Sequence, residues 1–136
     1  MNRRAYLSVV AGVGGVALAG CTDVLASGSY DVGMTANEYV PREYVTEVGS
    51  TVVWRNTSSR GHNVVASSYP EDASFFSSGS YDTYDEEWDA WTSPDYDGML
   101  SAGEEFAHTF EVPGEYQYVC FPHIRADMVG TIVVEE

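Results

Sequence analysis

The chain has 136 residues, with 21 Asp and Glu against six arginines and no lysine, for a formal net charge of −15. Phosphate binding needs clustered Lys and Arg, so nucleic acid is excluded as a partner. The length allows one domain that can bury its own core, and leaves no room for a second catalytic one.

Residues 1–20 read as an address. Arg3 and Arg4 precede an apolar Gly/Ala-rich run that holds no acidic residue, the layout of an export signal. The run is too short and too glycine-rich to span a bilayer convincingly. Arg3-Arg4-Ala5-Tyr6-Leu7 resembles a twin-arginine signal, and Leu18-Ala19-Gly20-Cys21 resembles a lipobox. In such signals the cysteine becomes the new N-terminus and carries a lipid; the alternative is an unmodified Cys21 behind an uncleaved anchor. Either reading puts the domain outside the cytoplasm at a membrane surface. Residues 21–28 read as a short tether, in which the seven residues 22–28 reach at most about 25 Å when extended.

Residues 29–136 read as an all-β domain. Strands are expected at 29–34, 43–48, 51–56, 62–67, 106–112, 115–120 and 130–135, from alternation and β-branched or aromatic content. Pro113-Gly114 marks a turn. No long stretch repeats at 3.6 residues, and short strands between turns argue for a Greek-key sandwich. Residues 68–103 break the pattern as a long acidic and aromatic insert, with a helical turn expected at 86–91. The stretch 81–89 could dock a partner, but a solvated loop over the sandwich is the reading favoured here. With Arg3 and Arg4 set aside, four arginines face 21 carboxylates, a net −17. The carboxylates are spread along the chain, which favours a surface suited to concentrated salt over a patch for a cationic partner.

If Cys21 carries a lipid, Cys120 has no cysteine to pair with. A lone thiol in an oxidising compartment needs an occupant, and a metal is one. Around it stand Cys120-x2-His123-x4-Met128, with Gly61-His62-Asn63 far upstream. Two imidazoles, one thiolate and one weak axial thioether are the ligands of a blue-copper electron-transfer site. Cys120 ends a strand, Pro122 stiffens the turn, and Met128 returns before the last strand begins. His62 is expected on a neighbouring strand in the other part of the sandwich. Phe121, Pro122 and Ile124 are candidates for an apolar rim around His123. Arg125 is the positive charge expected there, either steering an acidic partner or pairing with Asp127. His108, between Phe106 and Phe110, fits no ligand spacing and reads as a packed histidine; Met34 and Met99 read as core or loop fillers.

With these residues the domain resembles the plastocyanin-type cupredoxins and is similar to the halocyanins of salt-loving archaea. The likeness spans residues 29–136 and rests on His62-Asn63 and the Cys120–Met128 loop. It implies about eight strands, with one copper ion cycling between Cu(I) and Cu(II). It implies His62, Cys120 and His123 as equatorial ligands and Met128 as the axial one. It also implies that Asn63 braces the cysteine loop and that His123 shows an imidazole edge to solvent. The insert at 68–103 is a departure from the pattern.

The expected function is one-electron transfer between redox proteins of a membrane respiratory chain, with no small-molecule substrate and no enzymatic turnover. Copper storage or delivery is the competing reading, although delivery needs exposed, exchangeable Met or His clusters. A multicopper enzyme needs further ligands, and beyond His62 and His123 only His108 remains.

Overall fold

The computed structural model describes residues 29–136. The expected signal at 1–20, the tether and Cys21 lie outside the described residues. Among the described residues eight strands run in chain order: β1 (Val32–Met34), β2 (Tyr39–Val40), β3 (Glu43–Glu47), β4 (Thr51–Asn56), β5 (Val65–Ser68), β6 (Glu105–Thr109), β7 (Gly114–Val119) and β8 (Val129–Glu135). They form two four-stranded sheets, β2-β1-β4-β6 and β3-β8-β7-β5. β1 with β4 and β3 with β8 are parallel, and the other pairs are antiparallel. The expected eight-stranded sandwich is the observed fold.

The strands form where side chains alternate between core and water. In β4 Val52, Trp54 and Asn56 are buried and their neighbours are not. In β8 Gly130, Ile132 and Val134 point inward. Trp54 is fully buried, with ring centroids 5.3 Å from Phe106, 6.0 Å from Phe76, 6.4 Å from Phe110 and 5.3 Å from Tyr118. The core is thus an aromatic cluster bridging both sheets. At the expected turn Gly114 takes φ 137, a region that favours glycine. Pro70 lies 2.6 Å from where a Cβ would stand there.

One strand was not expected, and two sequence expectations are corrected. Tyr39–Val40 forms a short strand that no alternation announced. The strand expected at 62–67 begins only at Val65, and His62 forms an isolated bridge with Leu100. The helical turn is a two-turn helix, α1 (Tyr84–Ala90), whose N-cap Thr83 accepts a hydrogen bond from the Glu86 amide.

The insert is also more than a solvated loop. It sends Phe76, Leu100 and Glu87 into buried positions. Phe76 stacks on His108 at 4.7 Å, and His108 packs edge-on against Phe110 at 4.7 Å. His108 is therefore a packed histidine, as its spacing implied, and burial lowers its pKa.

Candidate metal centre

The site lies at one end of the second sheet, where β7 stops and β8 starts. Val119 pairs with both Val129 and Val65, so the ladder fixes the backbone immediately before Cys120. From Phe121 to Ala126 the chain makes 3-10 turns, with Pro122 at their start and a break at His123. Asp127 then adopts φ 64, a left-handed conformation that Asp tolerates better than most residues. That turn returns the chain, and the loop is tied across its base. The Cys120 amide donates to the Met128 carbonyl at 3.1 Å, and the Met128 amide donates to the His123 carbonyl at 3.3 Å.

Three of the expected ligands meet. Cys120 Sγ is 3.6 Å from His62 Nδ1 and 3.5 Å from His123 Nδ1, and their ligand atoms all lie within 4.8 Å of one another. An ion about 2.0 Å from nitrogen and about 2.3 Å from sulfur, at near-trigonal angles, needs an N···S edge of about 3.7 Å. The observed edges fit one small ion held by all three. Met128 is fully buried in the same core cluster as Cys120. His62 comes from the crossover between the two sheets, not from a strand, and is fully buried, whereas His123 is partly exposed.

Electrostatics prepare these groups for a metal. Burial, then His123, lowers the pKa of His62 to about 4, so its imidazole is neutral at pH 7. Burial and then Arg60 lower that of His123. Burial pushes the Cys120 thiol up to about 11. An unliganded site therefore holds two neutral imidazoles and a protonated thiol.

Around the ligands the chain supplies a tight outer layer. The Asn63 Oδ1 accepts from the Phe121 amide at 2.8 Å, its carbonyl accepts from the Tyr39 hydroxyl at 2.6 Å, and its Nδ2 donates to the Tyr96 hydroxyl at 3.0 Å. His62 Nε2 is 3.0 Å from Ser58 Oγ, which donates to Asn56 Oδ1 at 2.8 Å. Asn56 in turn donates to the carbonyls of Arg60 and Leu100. With Nδ1 of His62 facing the sulfur, Nε2 carries the proton and donates outward. Ser58, Asn56, Tyr39 and Tyr96 were not singled out from sequence. Only the turn-forming character of 56–61 hinted at the first two.

Two expectations about the rim are corrected. Phe121 is not surface rim. It is buried beneath Trp88, Tyr84 and Trp91, with centroids at 4.9, 5.2 and 6.1 Å. Pro122 and Ile124 stay partly exposed. Arg60, rather than Arg125, is the cation felt by both imidazoles. Asp127 pairs with Arg42 at 2.9 Å, not with Arg125.

Residues 26–135 match the profile of a family described as copper-binding proteins of the plastocyanin/azurin family. The chain is 31% identical over 135 residues to a chloroplastic plastocyanin of Tetradesmus obliquus, covering 96% of this chain and 84% of that one. It is 30% identical over 110 residues to amicyanin-alpha of Methylorubrum extorquens, covering 80% and 74%. In fold it resembles a purple cupredoxin from Nitrosopumilus maritimus, with a TM-score of 0.52 and 23% identity over 79% of this chain and all of that one.

Proposed function

This chain belongs to the plastocyanin/azurin family of copper-binding proteins, and from that premise we propose that it is a halocyanin-like carrier tethered to the outer face of the cell membrane, passing electrons between respiratory-chain proteins. Family membership makes it a one-copper electron-transfer protein and not an enzyme. The finer reading draws on the signal-like residues 1–20, the lipobox ending at Cys21 and the diffuse acidity of the chain.

His62, Cys120 and His123 would hold the copper, with Met128, buried in the same cluster as Cys120, as a further weak thioether donor. The single observation that carries this assignment is the meeting of both Nδ1 atoms with one buried sulfur. Bound copper supplies a Cu(II)/Cu(I) couple. The chain supplies the rest. Burial keeps water from Sγ, the ladder and the Cys120–Met128 hydrogen bond hold the loop, and the partly exposed His123 gives the route to a partner. Holding the ligands in one arrangement leaves little to rearrange when the electron moves.

A redox titration tests the carrier reading. Copper-loaded protein should take up and release one electron per chain reversibly and keep its metal against a competing chelator. Ready surrender of copper in both oxidation states would instead mark a delivery protein.

Two further outcomes are expected. Met128→Leu should keep the colour and raise the potential, because a weak donor to Cu(II) is lost; each tenfold change in relative Cu(II) affinity appears as about 59 mV in a voltammogram. Copper(II) uptake at pH 7 should release about one proton, from the Cys120 thiol, because both imidazoles are already neutral. As pH falls the imidazoles gain protons in the metal-free protein, His62 only near about 4. Proton release per ion should therefore rise and affinity should drop, as read by titration in weakly buffered solution.

A further inference from the structure

The insert clamps the segment that carries His62 and Asn63. The Leu100 amide donates to the His62 carbonyl at 2.7 Å, and the His62 amide donates back at 3.1 Å. The Ser78 amide donates to the Val64 carbonyl at 2.8 Å, and Ser78 Oγ accepts from the Val64 amide at 3.0 Å while donating to the Gly98 carbonyl at 2.8 Å. Between these clamps Glu87 of α1 is fully buried. One of its carboxylate oxygens accepts from the Ser77 hydroxyl and the other from the Tyr96 hydroxyl.

We propose that Glu87 and Tyr96 are positioning residues for the metal centre, acting through the side-chain amide of Asn63 on the backbone of the cysteine loop. A carboxylate can only accept, so the Tyr96 proton points to Glu87. The Tyr96 oxygen then has a lone pair free for Asn63 Nδ2, at 3.0 Å. With its nitrogen end committed to Tyr96, the amide presents Oδ1 to the Phe121 amide, at 2.8 Å. The hydrogen bonds thus run in one direction, from the residue after Cys120 to the buried carboxyl group of Glu87 in the insert. Without these acceptors the amide is free to turn over and set a donor against the Phe121 N–H, leaving a buried donor unpaired.

The backbone leaves room for this pair. A Cβ at Gly98 would stand 2.3 Å from the Tyr96 hydroxyl oxygen and 2.9 Å from Gly79 Cα, and one at Gly79 would stand 2.9 Å from Glu87 Oε2. Such distances are essentially never tolerated, so both glycines keep the Glu87–Tyr96 contact open. The inference deepens the copper reading and rests on it only for the identity of the loop as a ligand loop.

Amide hydrogen exchange followed by NMR in the metal-free protein tests it, with Phe121 as the probe and Ile132, in β8, as the internal reference. Tyr96→Phe should speed Phe121 exchange about tenfold relative to Ile132, the factor that about 1.4 kcal/mol corresponds to. Glu87→Ala should do the same, and Glu87→Gln, which keeps an acceptor for Tyr96, should restore protection. In copper-loaded protein the half-life of the metal against a chelator should shorten in step. Phe121 exchange that rises no more than that of Ile132 in both Tyr96→Phe and Glu87→Ala overturns the proposal. A copper half-life that ignores Phe121 exposure overturns the link to the metal. If wild-type protein fails to form a blue site while Phe121 still responds, the copper reading falls and the positioning of the loop stands.

Discussion

Cys120→Ser is expected to abolish the intense visible band of the copper(II) protein while the sandwich stays folded. The sulfur is fully buried and equidistant, to within 0.1 Å, from the two Nδ1 atoms at 3.6 and 3.5 Å. A serine hydroxyl is shorter, is a harder donor and does not ionise at neutral pH, so the ion loses its one thiolate. The affinity loss should exceed the roughly 100-fold cost of removing an outer partner of a metal ligand. The fold should survive because the bonds that shape the loop are made by the backbone of residue 120. Its amide reaches Met128, and its carbonyl accepts from the His123 amide at 3.2 Å. Absorption and circular dichroism on the same sample separate the two outcomes. An undiminished band would remove Cys120 from the ligand set.

The largest effect on stability is expected from Trp54→Ala. The indole is fully buried and touches rings from β6, β7 and the insert. Truncating a large core aromatic costs about 3–5 kcal/mol, the lost transfer energy plus the cavity left behind. A domain of this size has about 5–15 kcal/mol in total, so much of its margin goes. Metal-free protein should lose on the order of 15 °C in Tm. Bound copper stabilises only the folded state and would mask part of the loss, so calorimetry on the metal-free form gives the clean value. A shift of only a few degrees would mean that Trp54 does not hold the two sheets together.

The ligand loop was legible because chemistry and spacing coincide there: Cys120, His123 and Met128 lie within nine residues, and only one segment upstream pairs His with Asn. The main strands were legible because β4 and β8 alternate between core and water throughout, and β7 does so as far as Tyr118. Features that depend on distant partners stayed hidden. β2 has two residues and exists through its pairing with β1 and the anchoring of Tyr39 on the Asn63 carbonyl. His62 looked like the start of a strand, yet its backbone pairs with Leu100, 38 residues on, which no local pattern encodes. Phe121 looked like rim because three aromatic residues of the insert had no visible destination; they cover it. Glu87 read as one carboxylate among many in 81–89, since burial of a charge is set by Ser77 and Tyr96 folding onto it. The Asp127 pairing misled for the same reason. Arg125 is near in sequence, but the left-handed turn at Asp127 puts its carboxylate on Arg42, 85 residues away in the chain.

Optical titration of the metal-free domain with copper(II) tests the shared copper centre most directly. An intense visible band, from thiolate-to-copper charge transfer, should grow linearly, saturate at one ion per chain and bleach on one-electron reduction. A pale or colourless complex at saturation, or a band that survives when His62 or Cys120 is replaced, would contradict it.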